Sequence, residues 1–202
     1  MPTRVTMPPE EAALIAAAIG SREFQVSGDE FGLDCRTPDG GFHLAPRGEI
    51  GALPSGKPEE VIRLGVNALA EAGDASGAAI LARFTGPVTR VAVLRTAVWF
   101  SAPRAVGETR IRDAVVPAGQ QTDVHLSHPA APAPVGFPEA GLNVVDSALC
   151  FQFARGGMFV VGTDGWSYRL ALADGAEARA WVAEAEEVPL ADLNAESREA
   201  AG

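Results

Sequence analysis

The chain has 202 residues, of which 47% are hydrophobic and 21% are charged, a composition typical of a folded globular protein. Its formal net charge is -10, and an acidic surface repels phosphate groups. We therefore expect neither nucleic acid nor an anionic membrane as a partner. The sequence has no apolar run of membrane-spanning length and no cysteine pair with metal-ligand spacing, which predicts a cytoplasmic protein without membrane spans.

The first predicted element is a helix over residues 8–19. Its sequence, PPEEAALIAAAIG, opens with two prolines and two glutamates, which the first turn of a helix tolerates and favours, and it closes with a glycine. The apolar residues fall on one stripe, which we expect to pack against the core: Leu14, Ile15, Ala18 and Ile19.

Residues 23–46 change to the alternating pattern of short strands, with turn signals at residues 27–29 and 38–41. A second helix is predicted over residues 57–72. The stretch SGKPEEVIRLGVNALAEAG repeats the signals of the first helix, with a serine cap, an early proline, two glutamates and a final glycine.

Residues 88–101, VTRVAVLRTAVWFS, predict a central strand, because they alternate without making either face purely polar. Arg90 and Arg95 lie within this apolar run, on opposite faces of the strand. Each arginine would therefore pair with a carboxylate or lie at an interface.

The last third of the chain predicts a three-stranded meander followed by a helix. Two-residue turns at Gly156-Gly157 and Asp164-Gly165 would connect the strands. The helix is predicted over residues 174–187, and residues 190–202 are predicted to be an acidic, frayed tail. In chain order, these elements predict an α+β fold with a mostly antiparallel sheet. Residues 1–189 would form one domain, or two subdomains joined by the proline-rich loop 129–141.

Two histidines, His125 and His128, precede this loop and raise the question of a metal site. Residues three apart in a strand point to opposite faces, and Pro129 disfavours a helix at His128, so only an irregular turn would let both bind one ion. Asp123 shares a strand face with His125, but no nucleophile is placed to complete a triad. We interpret the three residues as a strand end and predict no metal ligand among them.

The sequence contains neither a Gly-x-Ser-x-Gly nucleophile elbow nor a Gly-x-x-x-x-Gly-Lys phosphate loop. A hairpin centred at Asp39-Gly40 would place Cys35 and His43 on opposite faces, which separates a thiol from its base. No catalytic residue and no cofactor is predicted, and the chain is interpreted as a binding protein rather than an enzyme.

The charge distribution indicates what would be bound. Residues 174–202 contain eight acidic residues and two arginines, a net charge of -6 out of the chain's -10. This predicts a non-enzymatic protein-binding module of the immunity, adaptor or secretion-chaperone type, whose acidic surface binds another protein, preferably a basic one. The predicted binding residues are Trp166, Tyr168, Glu184, Glu186 and Glu187.

Two alternatives remain open. The chain could be a small ligand-binding domain or enzyme with a pocket near residues 125–141, in which case Asp123, His125 and His128 would form the pocket rim. It could also be a structural subunit of a homo-oligomer, which pairs exposed strand edges or the apolar strand 88–101.

Overall fold

Strands dominate the structure. The computed structural model describes residues 2–55, 57–69, 80–111, 114–116 and 119–193, and only the backbone of residues 109–111 and 114–116. Strands predominate and helices are few among these residues, so the described part of the molecule is largely sheet, consistent with the predicted α+β class and mostly antiparallel pairing. No helix in the described part of the chain is long and apolar enough to cross a membrane.

The described elements are short and long strands, two helices, and a further helical stretch at residues 190–193. The helices are α1 (Pro9–Ala16) and α2 (Gly175–Ala183), with a 3-10 turn at Glu139–Gly141. The strands are β1 (Thr3–Val5), β2 (Glu23–Asp29), β3 (Gly32–Thr37), β4 (Gly40–Ala52), β5 (Pro58–Ala68), β6 (Ile80–Thr85), β7 (Val88–Phe100), β8 (Arg104–Val106), β9 (Thr109–Ile111), β10 (Ala114–Val116), β11 (Gly119–Gln121), β12 (Val124–Ser127), β13 (Leu142–Phe153), β14 (Met158–Gly162), β15 (Ala171–Asp174) and β16 (Glu186–Pro189).

The N-terminal part forms a five-stranded antiparallel sheet in the order β5-β4-β3-β2-β6. Strand β3 and the first half of β4 alternate between buried apolar and more exposed side chains, as expected of a sheet with one covered face. The covered face carries Phe24, Val26, Leu33, Phe42 and Leu44, all of which are buried.

The predicted second helix is wrong: residues 58–68 form strand β5, and residues 70–72 lie outside the described residues. Serine, proline and glutamate are favourable at a helix start, but this signal is local. The segment instead pairs with β4 along its whole length, and residues 61–66 are all buried. Val61, Ile62 and Val66 are β-branched, which suits a covered strand, and tertiary pairing overrides the helix signal.

The second sheet is built on one long antiparallel pair, β7 with β13. Each of these two strands changes its second partner midway. The outer edge of β7 pairs with β12 at residues 97–100 and with β16 at residues 92–95. The outer edge of β13 pairs with β1, in parallel, at residues 143–145 and with β14 at residues 148–152. The register of the β7–β13 pair shifts between Asp146 and Ala148. This is the position at which β13 exchanges β1 for β14 as its second partner.

The two sheets enclose a common core that contains most of the phenylalanines. Phe24 from β2 lies 4.8 Å from Phe151 of β13, measured between ring centroids, and Phe84 of β6 lies 4.9 Å from Phe159 of β14. On the other face of the second sheet, Ala178 and Trp181 of α2 pack against Leu94 and neighbouring residues. Strand β7 is therefore covered on both faces, as its sequence predicts.

The C-terminal segment departs from the prediction at three places. The turn between β13 and β14 is centred on Ala154-Arg155 instead of Gly156-Gly157, because the N–H of Gly156 donates to the carbonyl of Phe153. Asp164-Gly165 does not form a two-residue hairpin turn, because residues 163–170 form a loop and β15 begins at Ala171. Helix α2 ends at Ala183 instead of residue 187, since Glu186–Pro189 pair with the free edge of β7 as strand β16. Residues 190–193, assigned to the tail, are helical and bury Leu190 and Leu193, whereas residues 194–202 lie outside the described residues.

Candidate functional site

A cavity of about 510 Å³ lies where the outer edge of β7 passes from one partner strand to the next. Strand β12 pairs as far as Ser127 opposite Ala97, and β16 starts with Glu186 opposite Arg95, so Thr96 lies between them. We call this cavity the Thr96 pocket. It is lined by Thr96, Leu126, Ser127, His128, Asp164, Trp181, Ala183, Glu184 and Ala185.

The walls of the Thr96 pocket are acidic. Asp164 comes from the 163–170 loop and Glu184 from the residue after α2, and the lining contains no lysine or arginine. Trp181 adds an aromatic ring to the same wall. Two carboxylates beside an indole suit a cationic group, which gains both charge attraction and a cation–π contact.

The loop that supplies Asp164 is attached to both sheets. The backbone N–H of Thr163 donates to the carbonyl of Ser147 at 2.8 Å, and the N–H of Ile62 in β5 donates to the carbonyl of Gly165 at 3.0 Å. Asp164 Oδ1 accepts hydrogen bonds from the N–H groups of Trp166 at 2.8 Å and Ser167 at 2.7 Å. These bonds fix the carboxylate of Asp164 in place, which reduces the entropy cost of binding.

The same loop exposes two aromatic side chains. Trp166 is 41% exposed and lies edge-on to Phe100, with 5.4 Å between ring centroids, while Tyr168 is 47% exposed. A hydrogen bond to Glu60 raises the pKa of the Tyr168 hydroxyl above its ordinary value. Exposed tryptophan and tyrosine on a fixed loop are typical of residues that contribute most to protein–protein binding.

The predicted acidic residues separate into three surroundings. Glu184 is exposed and lines the Thr96 pocket. Glu186 is half-buried in β16 opposite Arg95, and Glu187 forms an ion pair with Arg90. Arg95 in turn donates from Nε to Asp146 Oδ1 at 2.8 Å. Both Arg90 and Arg95 therefore pair with carboxylates, which is one of the two roles that the sequence predicts for them.

The predicted pocket rim is also divided. Asp123 accepts a hydrogen bond from Arg104 Nε at 3.1 Å, and the ring of His125 packs on Phe137 with 5.6 Å between centroids. His128 lines the Thr96 pocket, and its Nδ1 accepts the N–H of Ala130 at 3.0 Å, which leaves Nε2 to carry the proton of the neutral ring. No three histidine, cysteine or acidic residues within the described ranges cluster as metal ligands would.

A second cavity, of about 330 Å³, lies beneath the proline-rich loop. Its floor includes Trp99, whose Nε1 donates to Ser127 Oγ at 3.1 Å, and its roof includes Pro129 and Pro132. The predicted rim residues are not part of its lining, which is Pro2, Trp99, Pro129, Ala131, Pro132, Ala133, Glu139 and Leu142.

Neither cysteine is placed for chemistry. Cys35 lies opposite Phe42 and His43 opposite Asp34, so the thiol and the imidazole lie on different faces, although the hairpin turns at Pro38-Asp39 instead of Asp39-Gly40. Burial, and then the charge of Asp34, raise the pKa of Cys35 far above its ordinary value. Burial and the charge of Glu187 raise the pKa of Cys150 to about 11, so both thiols stay protonated at neutral pH.

Sequence reasoning missed Asp164 as a site residue, because an Asp-Gly pair is explained by turn formation alone. It also missed Trp181, which is a core residue by helix periodicity. Only the three-dimensional change of strand partners at Thr96 brings these residues to Glu184 and His128. In comparisons with known proteins, no protein-family model, no curated protein and no solved structure matches the chain.

Proposed function

We propose that this chain is a protein-binding module whose Thr96 pocket receives a cationic side chain, lysine or arginine, of a partner protein. The observation that carries the proposal is the joint presence of Asp164 and Glu184 in a pocket whose lining has no basic residue. Neither carboxylate has an ion-pair partner among the described residues. A ligand cation would supply the missing opposite charge.

The surface around the pocket supports a partner of protein size. Trp166 lies two residues beyond Asp164 in the same loop, and Tyr168 lies two residues further. Their exposed rings would pack on apolar stems of the partner segment, while its basic group enters the pocket. The net charge of -10 would steer a basic partner to the molecule before contact is made. Binding in the cytoplasm without catalysis is part of this proposal.

The test uses a probe of known chemistry. Fluorescently labelled tetra-arginine and tetra-lysine peptides are titrated with the protein at 0.05 M and 0.5 M NaCl, and anisotropy gives the dissociation constants. We expect both basic peptides to bind at low salt. The variant with Asp164→Asn and Glu184→Gln should bind them roughly tenfold more weakly, since two charge contacts are lost. A neutral tetra-glycine peptide serves as the ligand control.

The matched control variant removes two charges elsewhere, Glu10→Gln with Asp39→Asn, both exposed. This variant should lose only the general attraction, about threefold in affinity at low salt. The proposal fails if both double variants bind equally weakly, if neither basic peptide binds, or if affinity is the same at the two salt concentrations.

A second candidate function is small-molecule binding beneath the proline-rich loop. We propose it because the cavity there, about 330 Å³, has an aromatic floor and falls within the usual size range of ligand pockets. A thermal-shift screen with small neutral aromatic compounds tests it, with Ala131→Leu as a variant that fills the cavity. Hits that stabilise both forms equally would contradict binding there.

A further inference from the structure

A third cavity, of about 470 Å³, lies on the five-stranded sheet around β2. Gln25 in β2 is directly opposite Arg36 of β3 on one side and directly opposite Arg83 of β6 on the other. Directly opposed residues lie on the same face of a sheet, so the three side chains form one row across three strands. We call this cavity the β2 cleft. Its lining is Glu23, Phe24, Gln25, Arg36, Thr37, Pro38, Arg83, Phe84 and Thr85.

The β2 cleft has the opposite charge from the rest of the molecule. Its lining contains two arginines and one acid, Glu23, and therefore a net charge of +1 in a chain of -10. Arg83 is exposed and makes no ion pair with any described residue. Arg36 touches Asp34 only through NH2, at 3.4 Å, so its remaining N–H groups are available for another acceptor.

The chemistry of this row suits an oxyanion. A guanidinium presents N–H donors in a planar fork that matches carboxylate and phosphate oxygens. The amide of Gln25, between the two arginines, adds a donor to the same side of the sheet. Pro38 adds apolar atoms to the lining, whereas the rings of Phe24 and Phe84 lie on the core side of the sheet. The cleft thus offers positive charge at its centre and apolar contact beside it.

We propose that the β2 cleft binds a small organic anion, whose carboxylate or phosphate head lies between Arg36 and Arg83 and whose apolar part packs on Pro38. The volume of about 470 Å³ suits a ligand of metabolite size. The proposal is independent of the Thr96 pocket, which is built by the other sheet and is acidic.

Benzoate and phenyl phosphate are the two probes, with benzamide as their neutral counterpart. Each is titrated into the protein by isothermal calorimetry at constant ionic strength. We expect the tighter of the two anions to bind with a dissociation constant below about 1 mM and benzamide to give no measurable binding. Tighter binding of benzoate assigns a carboxylate head group, and tighter binding of phenyl phosphate assigns a phosphate; both results support the cleft.

Arg36→Gln and Arg83→Gln should each weaken the binding of the better anion about tenfold, because each removes one charge-assisted contact. Arg179→Gln is the matched control, since it removes an exposed arginine from α2 on the other sheet, and it should change affinity less than twofold. Gln25→Glu places a carboxylate between the two arginines and should abolish binding while the thermal midpoint stays within a few degrees. Circular dichroism confirms that each variant is folded.

Three outcomes would overturn the proposal: neither anion binds with a dissociation constant below about 1 mM, benzamide binds as well as benzoate, or Arg179→Gln weakens binding as much as Arg36→Gln. The test is separate from that of the Thr96 pocket, because the Asp164→Asn, Glu184→Gln variant should bind the anions as the unchanged protein does.

Discussion

Glu11 connects α1 to the five-stranded sheet. Its carboxylate, 5% exposed, accepts from Arg63 NH1 at 2.7 Å and NH2 at 3.0 Å, from Arg47 NH1 at 2.8 Å, and from the N–H of Val66 at 2.9 Å. Burial alone would lower the pKa of Arg63, but its hydrogen bonds and charge contacts with Glu11 and Glu49 raise it above the ordinary value. Arg63 is therefore charged at all ordinary pH values and needs its buried partner.

Glu11→Ala should lower the free energy of unfolding by about 3 kcal/mol, because it leaves the buried charge of Arg63 without its bidentate partner and the N–H of Val66 without an acceptor. Urea unfolding followed by circular dichroism measures the change. Glu10→Ala, an exposed neighbour in the same helix turn, is the control and should cost less than about 0.5 kcal/mol. Equal effects of the two substitutions would contradict the role of Glu11.

The raised pKa of Cys150, about 11, predicts both reactivity and a pH effect. At pH 8 the folded protein should not react with Ellman's reagent, and both thiols should react once it is unfolded. In the unfolded chain a thiol titrates near pH 8.5, so between about pH 9 and pH 11 the unfolded state loses its proton while the folded state keeps it. Stability therefore falls as the pH rises through this range, and Cys150→Ala should reduce the fall. A fast reaction of the folded protein at pH 8 would contradict this burial.

The elements differ in how much of their structure is encoded locally. Helix α1 and strand β7 were predictable, because their signal is the periodicity of apolar side chains within a few residues. Strand β5 was not, since its helix-like start is overruled by pairing with β4. Its outer edge is in turn occupied by the Glu11 carboxylate and by the carbonyl of Gly165, which come from distant parts of the chain. When distant parts of the chain cover a strand edge, the sequence of the strand itself carries no pattern that predicts it.

Gly165 tests how closely the 163–170 loop packs. Its φ is +88°, and a Cβ there would lie 2.9 Å from Cγ2 of Val98, whereas Gly156 has a φ of +78° with nothing within 4 Å of a Cβ. Gly156→Ala should cost about 1 kcal/mol from backbone strain alone. Gly165→Ala should cost at least about 2 kcal/mol, since overpacking is added. Urea unfolding measures the loss of stability caused by each substitution. Equal losses would contradict the packing of the loop against β7.

At the scale of the whole molecule, the central pair β7–β13 is completed by both ends of the described chain, β1 and β16. The antiparallel α+β class was predictable from element order, but this arrangement was not, since no sequence signal tells which distant strands share an edge. The same holds for the Thr96 pocket. Its acids come from a loop and from the end of α2, and they meet only because β12 and β16 divide one edge of β7.

Ending the chain after Ala183 should expose the edge of β7 at residues 92–95 and remove Val188, Leu190 and Leu193 from the core. We expect oligomers or aggregates by size-exclusion chromatography with light scattering, because an unpaired edge beside exposed apolar residues invites association. A chain that ends after Leu193 keeps these contacts and is the control. A stable monomer after the shorter cut would contradict the role of β16. The mass of the full chain tests the homo-oligomer prediction.

The shared edge of β7 also has a consequence for the order of synthesis. Residues 92–95 leave the ribosome long before residues 186–189, which are the strand that pairs with them. Through much of its translation, the nascent chain therefore carries a half-finished strand edge in its largest sheet. The final sheet can close only after nearly all described residues have emerged from the ribosome, so we expect its folding to be a late event.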